Sequence, residues 1–172
     1  MSELGKIIDR KTIRFERVVA GPIERVWDYL TRPELIATWL ATGEIELRVG
    51  GRVELQTMGG VVRGVVTRCD PPRALAYTWI ADGSEAMRPA GEDLESILSF
   101  ELTAHGVDQV VLVLTHRPIW DGFMGRTGSG WHTILERLAS AMRGEEPAPF
   151  MEIFNRVIPD YERLASSTKE SG

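Results

Sequence analysis

SGWHTILERLASAM, Ser129–Met142, sets apolar Trp131, Ile134, Leu135, Leu138 and Met142 along one stripe of a 3.6-residue period. The spacing predicts a long helix starting near Ser129, which is placed to cap it after a glycine-rich loop. A helix apolar on one face must bury that face, and the residues before it supply the surface. Val107–His116, Leu94–Thr103, Leu75–Ile80, Val61–Cys69, Val53–Gln56 and Glu44–Val49 each read as strands, several of them alternating apolar and polar residues at period two. Gly50-Gly51, Asp70-Pro71-Pro72, Asp82-Gly83 and His105-Gly106 supply turns between them. These connections are too short for crossover helices, so the strands form an antiparallel meander. Its longest irregular insertion is Gly83–Asp93.

Toward the amino end, Lys11–Ala20 is a further strand, with Ile13, Phe15 and Val19 on one side. Gly21-Pro22 ends it, and Pro22 suits the first turn of a helix carrying Ile23, Val26, Trp27 and Leu30 on its apolar face. Pro33 opens a second short helix with Leu35, Ile36, Trp39 and Leu40. Beyond Met142 the tail carries Phe150, Ile153, Phe154, Val157, Tyr161 and Leu164 at helical spacing, interrupted at Pro159. It either docks on its own domain or leaves a patch that pairs two copies. Ser166–Gly172 reads as a disordered end. The expected class is α+β: a curved antiparallel sheet of six or seven strands wrapped around the long helix, with two short helices after the first strand. One domain spans residues 1–165, with an apolar cavity between sheet and helix.

A chain of 172 residues, 43% hydrophobic and 26% charged, can bury one core without disulfides or a metal. Its net charge of -5 opposes nucleic-acid binding, which rests on phosphate neutralisation by Lys and Arg. Cys69 stands alone, and MSELGKIIDRK lacks the apolar run of a signal peptide. No stretch approaches the ~18 apolar residues of a membrane helix. A cytoplasmic protein with neither nucleic acid nor membrane as partner is expected.

The colinear order of a first strand, GPIERVWDYLTRPELIATWL, the RVGG turn, GVVTRCDPPRALAYTW, ESILSFEL, VVLVLTH and GWHTILERLASAM resembles the family of homologues of the activator of the heat-shock-protein-90 ATPase. That family lies within the START-like, Bet v 1-like (SRPBCC) superfamily. The resemblance runs from about Ile13 to Met142 and implies a helix-grip fold. In the wider superfamily the cavity of this fold takes lipids, sterols, polyketides or other apolar molecules, and some branches are cyclases or hydrolases. The chain departs from the pattern at Arg32, where Asp commonly caps the second helix, and in its apolar tail.

GFMGRTGSG, Gly122–Gly130, precedes a helix but lacks the GK[ST] of a phosphate loop. It reads as a flexible loop in which Arg126 is available to a ligand carboxylate. His105, His116 and His132 have no metal-ligand spacing, and neither a metal nor a cofactor is expected. His105 falls in a turn and His132 turns partly to solvent, while His116, at the end of an apolar strand, is placed to reach the cavity. Cys69 reads as a small core residue, and Glu92, Asp93 and Glu95 as a solvated face. Trp27 should pack on the sheet. Trp39 ends a helix at the cavity mouth, Tyr77 and Trp79 share a strand face, and Trp131 begins the covering helix. The expected ligand-binding set is Trp39, Leu55, Tyr77, Trp79, Phe100, His116 and Trp131. No catalytic residue is assigned. The favoured function is binding of a small hydrophobic or amphipathic molecule. The alternatives are a chaperone-associated or other protein-interaction module, and a hydrolase or cyclase using His116 with an acidic residue. A homodimer formed through the tail is a further expectation.

Overall fold

The computed structural model describes residues 2–82 and 95–170. The strands are β1 (Lys6–Asp9), β2 (Thr12–Ala20), β3 (Thr42–Ile45), β4 (Arg52–Thr57), β5 (Gly60–Asp70), β6 (Ala74–Thr78), β7 (Ile80–Ala81), β8 (Ile97–His105) and β9 (Gln109–Arg117). The helices are α1 (Ile23–Thr31), α2 (Pro33–Ile36), α3 (Met124–Met142) and α4 (Phe150–Glu170). All strand pairs are antiparallel, in the order β1-β2-β9-β8-β6-β5-β4-β3, with β7 also on β5. The α+β helix-grip expectation holds, and among the described residues nine strands replace the expected six or seven. One addition is the amino-terminal β1. The other arises because the strand read as Leu75–Ile80 breaks into β6 and β7.

That break has a local cause. A Cβ on Gly64 would sit 1.9 Å from the Thr78 carbonyl oxygen, so only glycine lets β6 cross this close to β5. Thr78 Oγ1 accepts from Val65 N–H at 2.9 Å, and the β5–β6 register shifts between Val66 and Arg68. At the other end of β4 the expected strand Glu44–Val49 stops at Ile45. Leu47 and Val49 are exposed despite their alternation. Gly50, at φ 83, donates to the Val66 carbonyl at 2.8 Å, so residues 46–51 wrap the end of the sheet instead of extending it.

Helix α1 buries Val26, Trp27 and Leu30, as its stripe predicts. Pro22 is its N-cap and not its first helical residue; the amides of Arg25 and Val26 donate to its carbonyl. Arg25 donates to the Met142 carbonyl at 2.5 Å, joining α1 to the carboxyl end of α3, where a cation is favoured.

The glycine-rich stretch expected as a loop is the first turns of α3, and Ser129 lies inside the helix instead of capping it. Its hydroxyl donates to Gly125 O at 2.7 Å, and Thr133 donates to Ser129 O at 2.8 Å, so both buried hydroxyls use carbonyls of their own helix. The glycines serve packing. A Cβ at Gly128 would meet Tyr161 Cδ1 at 2.6 Å and Ile13 Cδ1 at 2.7 Å, so glycine here lets α4 and β2 close on α3. Arg126 is exposed on the outer face.

Helix α4 is continuous through Pro159, in place of the expected interruption, and runs over Ser166 to Glu170 of the end expected to be disordered, whose last two residues lie outside the described residues. Pro159 and Asn155 are both exposed, so the carbonyl deprived of its donor lies on the wet side. Ser166, Ser167 and Thr168 return their hydroxyls to carbonyls one turn back. Ile153, Val157 and Tyr161 are buried within the chain, while Phe150 and Phe154 stack on each other at 5.7 Å, half-buried. Tyr161 Oη accepts from Gly5 N–H at 2.8 Å and lies 2.8 Å from His132 Nδ1. His132 is therefore buried, contrary to its expected exposure, and its Nε2 meets Ser2 Oγ at 2.8 Å. Ser2 in turn donates to Glu136 at 2.7 Å. This chain of hydrogen bonds ties the amino-terminal segment to both carboxy-terminal helices.

Candidate functional site

The bend at Gly64 and Thr78 turns Trp79 out of the regular strand and toward α3. Its amide donates to Ser96 O at 2.7 Å, and its ring lies 5.0 Å from that of Trp131 at 64°. Across from them, the segment after β9 brings in Ile119, Trp120 and Phe123, the two aromatic rings meeting edge-on at 6.5 Å. Between these walls is a cavity of about 300 Å³, also lined by Ala81, Ser96, His116, Pro118, Thr127, Gly130 and Ile134. Four aromatic side chains surround it. None of its described lining residues carries a formal charge when His116 is neutral.

His116 is neutral here, and its tautomer follows from its partners. Indole nitrogen can only donate, so Trp131 Nε1–H, 2.8 Å from His116 Nδ1, requires that nitrogen to be the acceptor. The ring proton is then on Nε2, facing Ser96 Oγ, and the Ser96 hydroxyl donates its hydrogen bond to the Pro118 carbonyl at 3.0 Å. Burial lowers the pKa of His116 to about 4. Both ring nitrogens are engaged by protein groups, so His116 orients the Trp131 wall of the cavity and offers no free lone pair as a general base.

Of the expected ligand-binding residues, Trp79, His116 and Trp131 meet at this cavity. Trp39, Leu55, Tyr77 and Phe100 lie in the core behind it. Trp39 meets Phe100 edge-on at 6.5 Å and donates its indole N–H to Tyr29 O at 2.9 Å. Phe100 contacts Tyr77 at 6.4 Å, and Tyr77 stacks on Trp79 at 6.4 Å. These side chains fill the space under the short helices, and the opening lies beyond Trp79, where the filling ends. Period two put Leu55, Tyr77 and Phe100 on the inner face and helical spacing put Trp39 there, but neither can separate a residue that fills a space from one that borders it. The sequence reading did not place Trp120, Phe123 or Ser96 at the site. The signal available was the apolar cluster Ile119, Trp120 and Phe123 directly after a strand end.

Cys69 is half-buried opposite Leu75, its thiol pKa raised first by desolvation and then by Asp70. Among the described hydrogen bonds and aromatic contacts it has no part in the His116 group. Glu95 is exposed, whereas Glu92 and Asp93 lie outside the described residues. Among the described residues no helix is long and apolar enough to cross a membrane.

A curved antiparallel sheet gripping a long helix, with an uncharged aromatic cavity at one end, defines a helix-grip protein. The chain belongs to the family described as Activator of Hsp90 ATPase homolog 1-like protein, whose model matches residues 20–143, more than half its length. It is similar to the protein encoded by gene BPP1335 of Bordetella parapertussis, solved by NMR, at 37% identity and TM-score 0.73, over 92% of this chain and 88% of that one. It is also similar to CalU16 of Micromonospora echinospora, at 28% identity and TM-score 0.72, over 90% of this chain and 88% of the other. The Aha1 dimer of Colwellia psychrerythraea shares the fold, at 20% identity and TM-score 0.61, over 76% of this chain and 95% of that one. No curated protein matches the chain.

Proposed function

We propose that the protein binds a small, uncharged, largely aromatic molecule in the cavity beneath Trp79, Trp120 and Trp131. The observation that carries this reading is a concave space of about 300 Å³ walled by four aromatic side chains, with a polar edge at Ser96 and His116. Small-molecule sites run from ~300 to 1,000 Å³, apolar with a few polar groups that set orientation. A ligand of one or two rings matches the lower end of that range. A charged ligand would lose its hydration there with no countercharge to meet it. Catalysis on the bound molecule would require His116 to release one of its two hydrogen bonds.

The test is a thermal-shift screen of neutral aromatic compounds, with tryptophan fluorescence as second readout. A ligand at a hundred times its Kd adds ~2.7 kcal/mol to stability, a rise of about 5–11 °C in Tm for a chain of this size. Trp131→Ala or Trp120→Ala should remove the shift, while Phe154→Ala on the distant tail helix should keep it. A screen with no saturable shift and no quenching would overturn the reading. The family's description favours a second one, a module that engages a chaperone ATPase. Its test is the rate of ATP hydrolysis by a purified heat-shock ATPase with and without this chain. The buried face of α4 is used within the chain, so the packing gives no support to a homodimer through that face.

A further inference from the structure

We propose that the groove bounded by α3, α4, β2 and β9 is a second binding site, for a monomeric amphiphile with a carboxylate head and an alkyl chain. The groove holds about 620 Å³ and, among the described residues, shares no lining residue with the aromatic cavity. Its apolar side is built from Val19 and Leu112 of the sheet, Leu135 and Leu138 of α3, and Ile153 of α4. Its polar side carries Arg17, Arg143 and Arg156 against one acid, Glu136. The chain as a whole has a net charge of -5, so the groove has the opposite sign to the molecule around it.

The three cations are not equivalent. Arg143 is paired with Glu145 at 2.8 Å, and Arg156 with Glu136. Arg17 donates to two main-chain carbonyls, Glu16 O at 2.9 Å and Glu3 O at 2.5 Å, and its guanidinium lies 5.4 Å from the Phe15 ring centre. It forms no ion pair among the described residues, although the carboxylates of Glu3 and Glu136 favour its charge through space. Two of its five N–H groups are used, which leaves donors for a carboxylate at the edge of an apolar trough. Burial lowers its pKa despite those neighbours, so an incoming anion meets a partly desolvated partner. Arg17, Ile153 and Arg156 all lie outside residues 20–143, the part that matches the family model. The two ends of the chain thus complete a groove whose other wall, Leu112, Leu135 and Leu138, comes from the matched span.

The experiment is isothermal titration of the full chain with decanoate below its micellar concentration, beside decanol, decyl phosphate and inorganic phosphate. Decanoate should bind one to one and more tightly than decanol by tenfold or more. Arg17→Met, which keeps the stem over Phe15, should lose that tenfold. Ala139→Phe, on the half-buried face of α3 lining the groove, should abolish binding by filling the space, with folding of both variants verified by circular dichroism. No tryptophan is among the described residues that line the groove, so decanoate should bind without the quenching that marks the aromatic cavity, and Trp131→Ala should bind it as the parent does. The proposal is overturned if decanoate fails to bind, if decanol binds equally, if Arg17→Met binds as the parent does, or if Trp131→Ala abolishes binding. Tighter binding of decyl phosphate than of decanoate would overturn the assignment of the head as carboxylate. Binding of inorganic phosphate alone would overturn the amphiphile.

Discussion

His116 is held neutral by burial and by two hydrogen bonds, and this makes acid a specific stress on the fold. Its folded pKa of about 4 lies below the 6.5 of a solvated imidazole. Between those values the unfolded chain takes up a proton that the folded chain refuses, so the stability present above pH 6.5 is lost as pH falls toward 4. A separation of that size corresponds to about 3 kcal/mol. His132 acts in the same direction, its pKa lowered mainly by desolvation and further by Arg17 and Arg156. Urea unfolding at stepped pH should show this decline, and His116→Gln should be less stable at neutral pH but flatter across the window. An unchanged slope in the variant would remove His116 as its source. The sequence placed His116 at the end of an apolar strand, where a cavity could be reached. It could not show that Trp131 Nε1–H, fifteen residues on, would occupy one nitrogen, because that contact depends on how far α3 stands from the sheet.

At the scale of elements, the bend between β6 and β7 creates the cavity, and it depends on one missing side chain. Gly64→Ala puts a methyl group 1.9 Å from the Thr78 oxygen, so one backbone must yield. The expected cost is about 1–3 kcal/mol, with weaker binding of any ligand that contacts Trp79. Equilibrium denaturation and the fluorescence titration check the two effects separately, and a variant that changes neither would show the close approach to be incidental. Periodicity alone identified α1, the body of α3 and most of the sheet. The failures share a physical origin. Glycines at 125 and 128 lower intrinsic helix propensity, so the sequence reads as loop, but contact with Tyr161, Ile13 and Glu162 outweighs that loss. Leu47 and Val49 alternate as a strand would, yet the hydrogen bond from Gly50 to Val66 holds them in a turn. In both cases a partner distant in sequence overrode a local preference.

For the whole molecule, α4 and the amino-terminal segment work as a clasp. Truncation after Arg143 would remove Ile153, Val157 and Tyr161 from the core, each worth about 1.5–3 kcal/mol by burial. Their sum approaches the ~5–15 kcal/mol of a whole domain. The truncated chain should therefore melt far below the full one or fail to melt cooperatively by circular dichroism. A matching Tm would show the clasp to be ornamental. The colinear order of weak motifs made the family legible without any structure, since it reports the sequence of elements. The cavity's position was less legible, being what remains after the core is filled. The clasp also sets a timetable. Ile13 of β2 pairs with His116 of β9, and Gly5 meets Tyr161 across a separation of 156 residues. A ribosome adds about 5–20 residues per second, so Ile13 and Phe15 leave it on the order of ten seconds before their partners exist. The sheet cannot close on its first long strand until β9 has been made, and the clasp cannot engage until Tyr161 has followed. A nascent chain of this kind stays open until β9 emerges, so rapid elongation through β9 and α3 shortens the interval in which its first apolar residues are available to other chains.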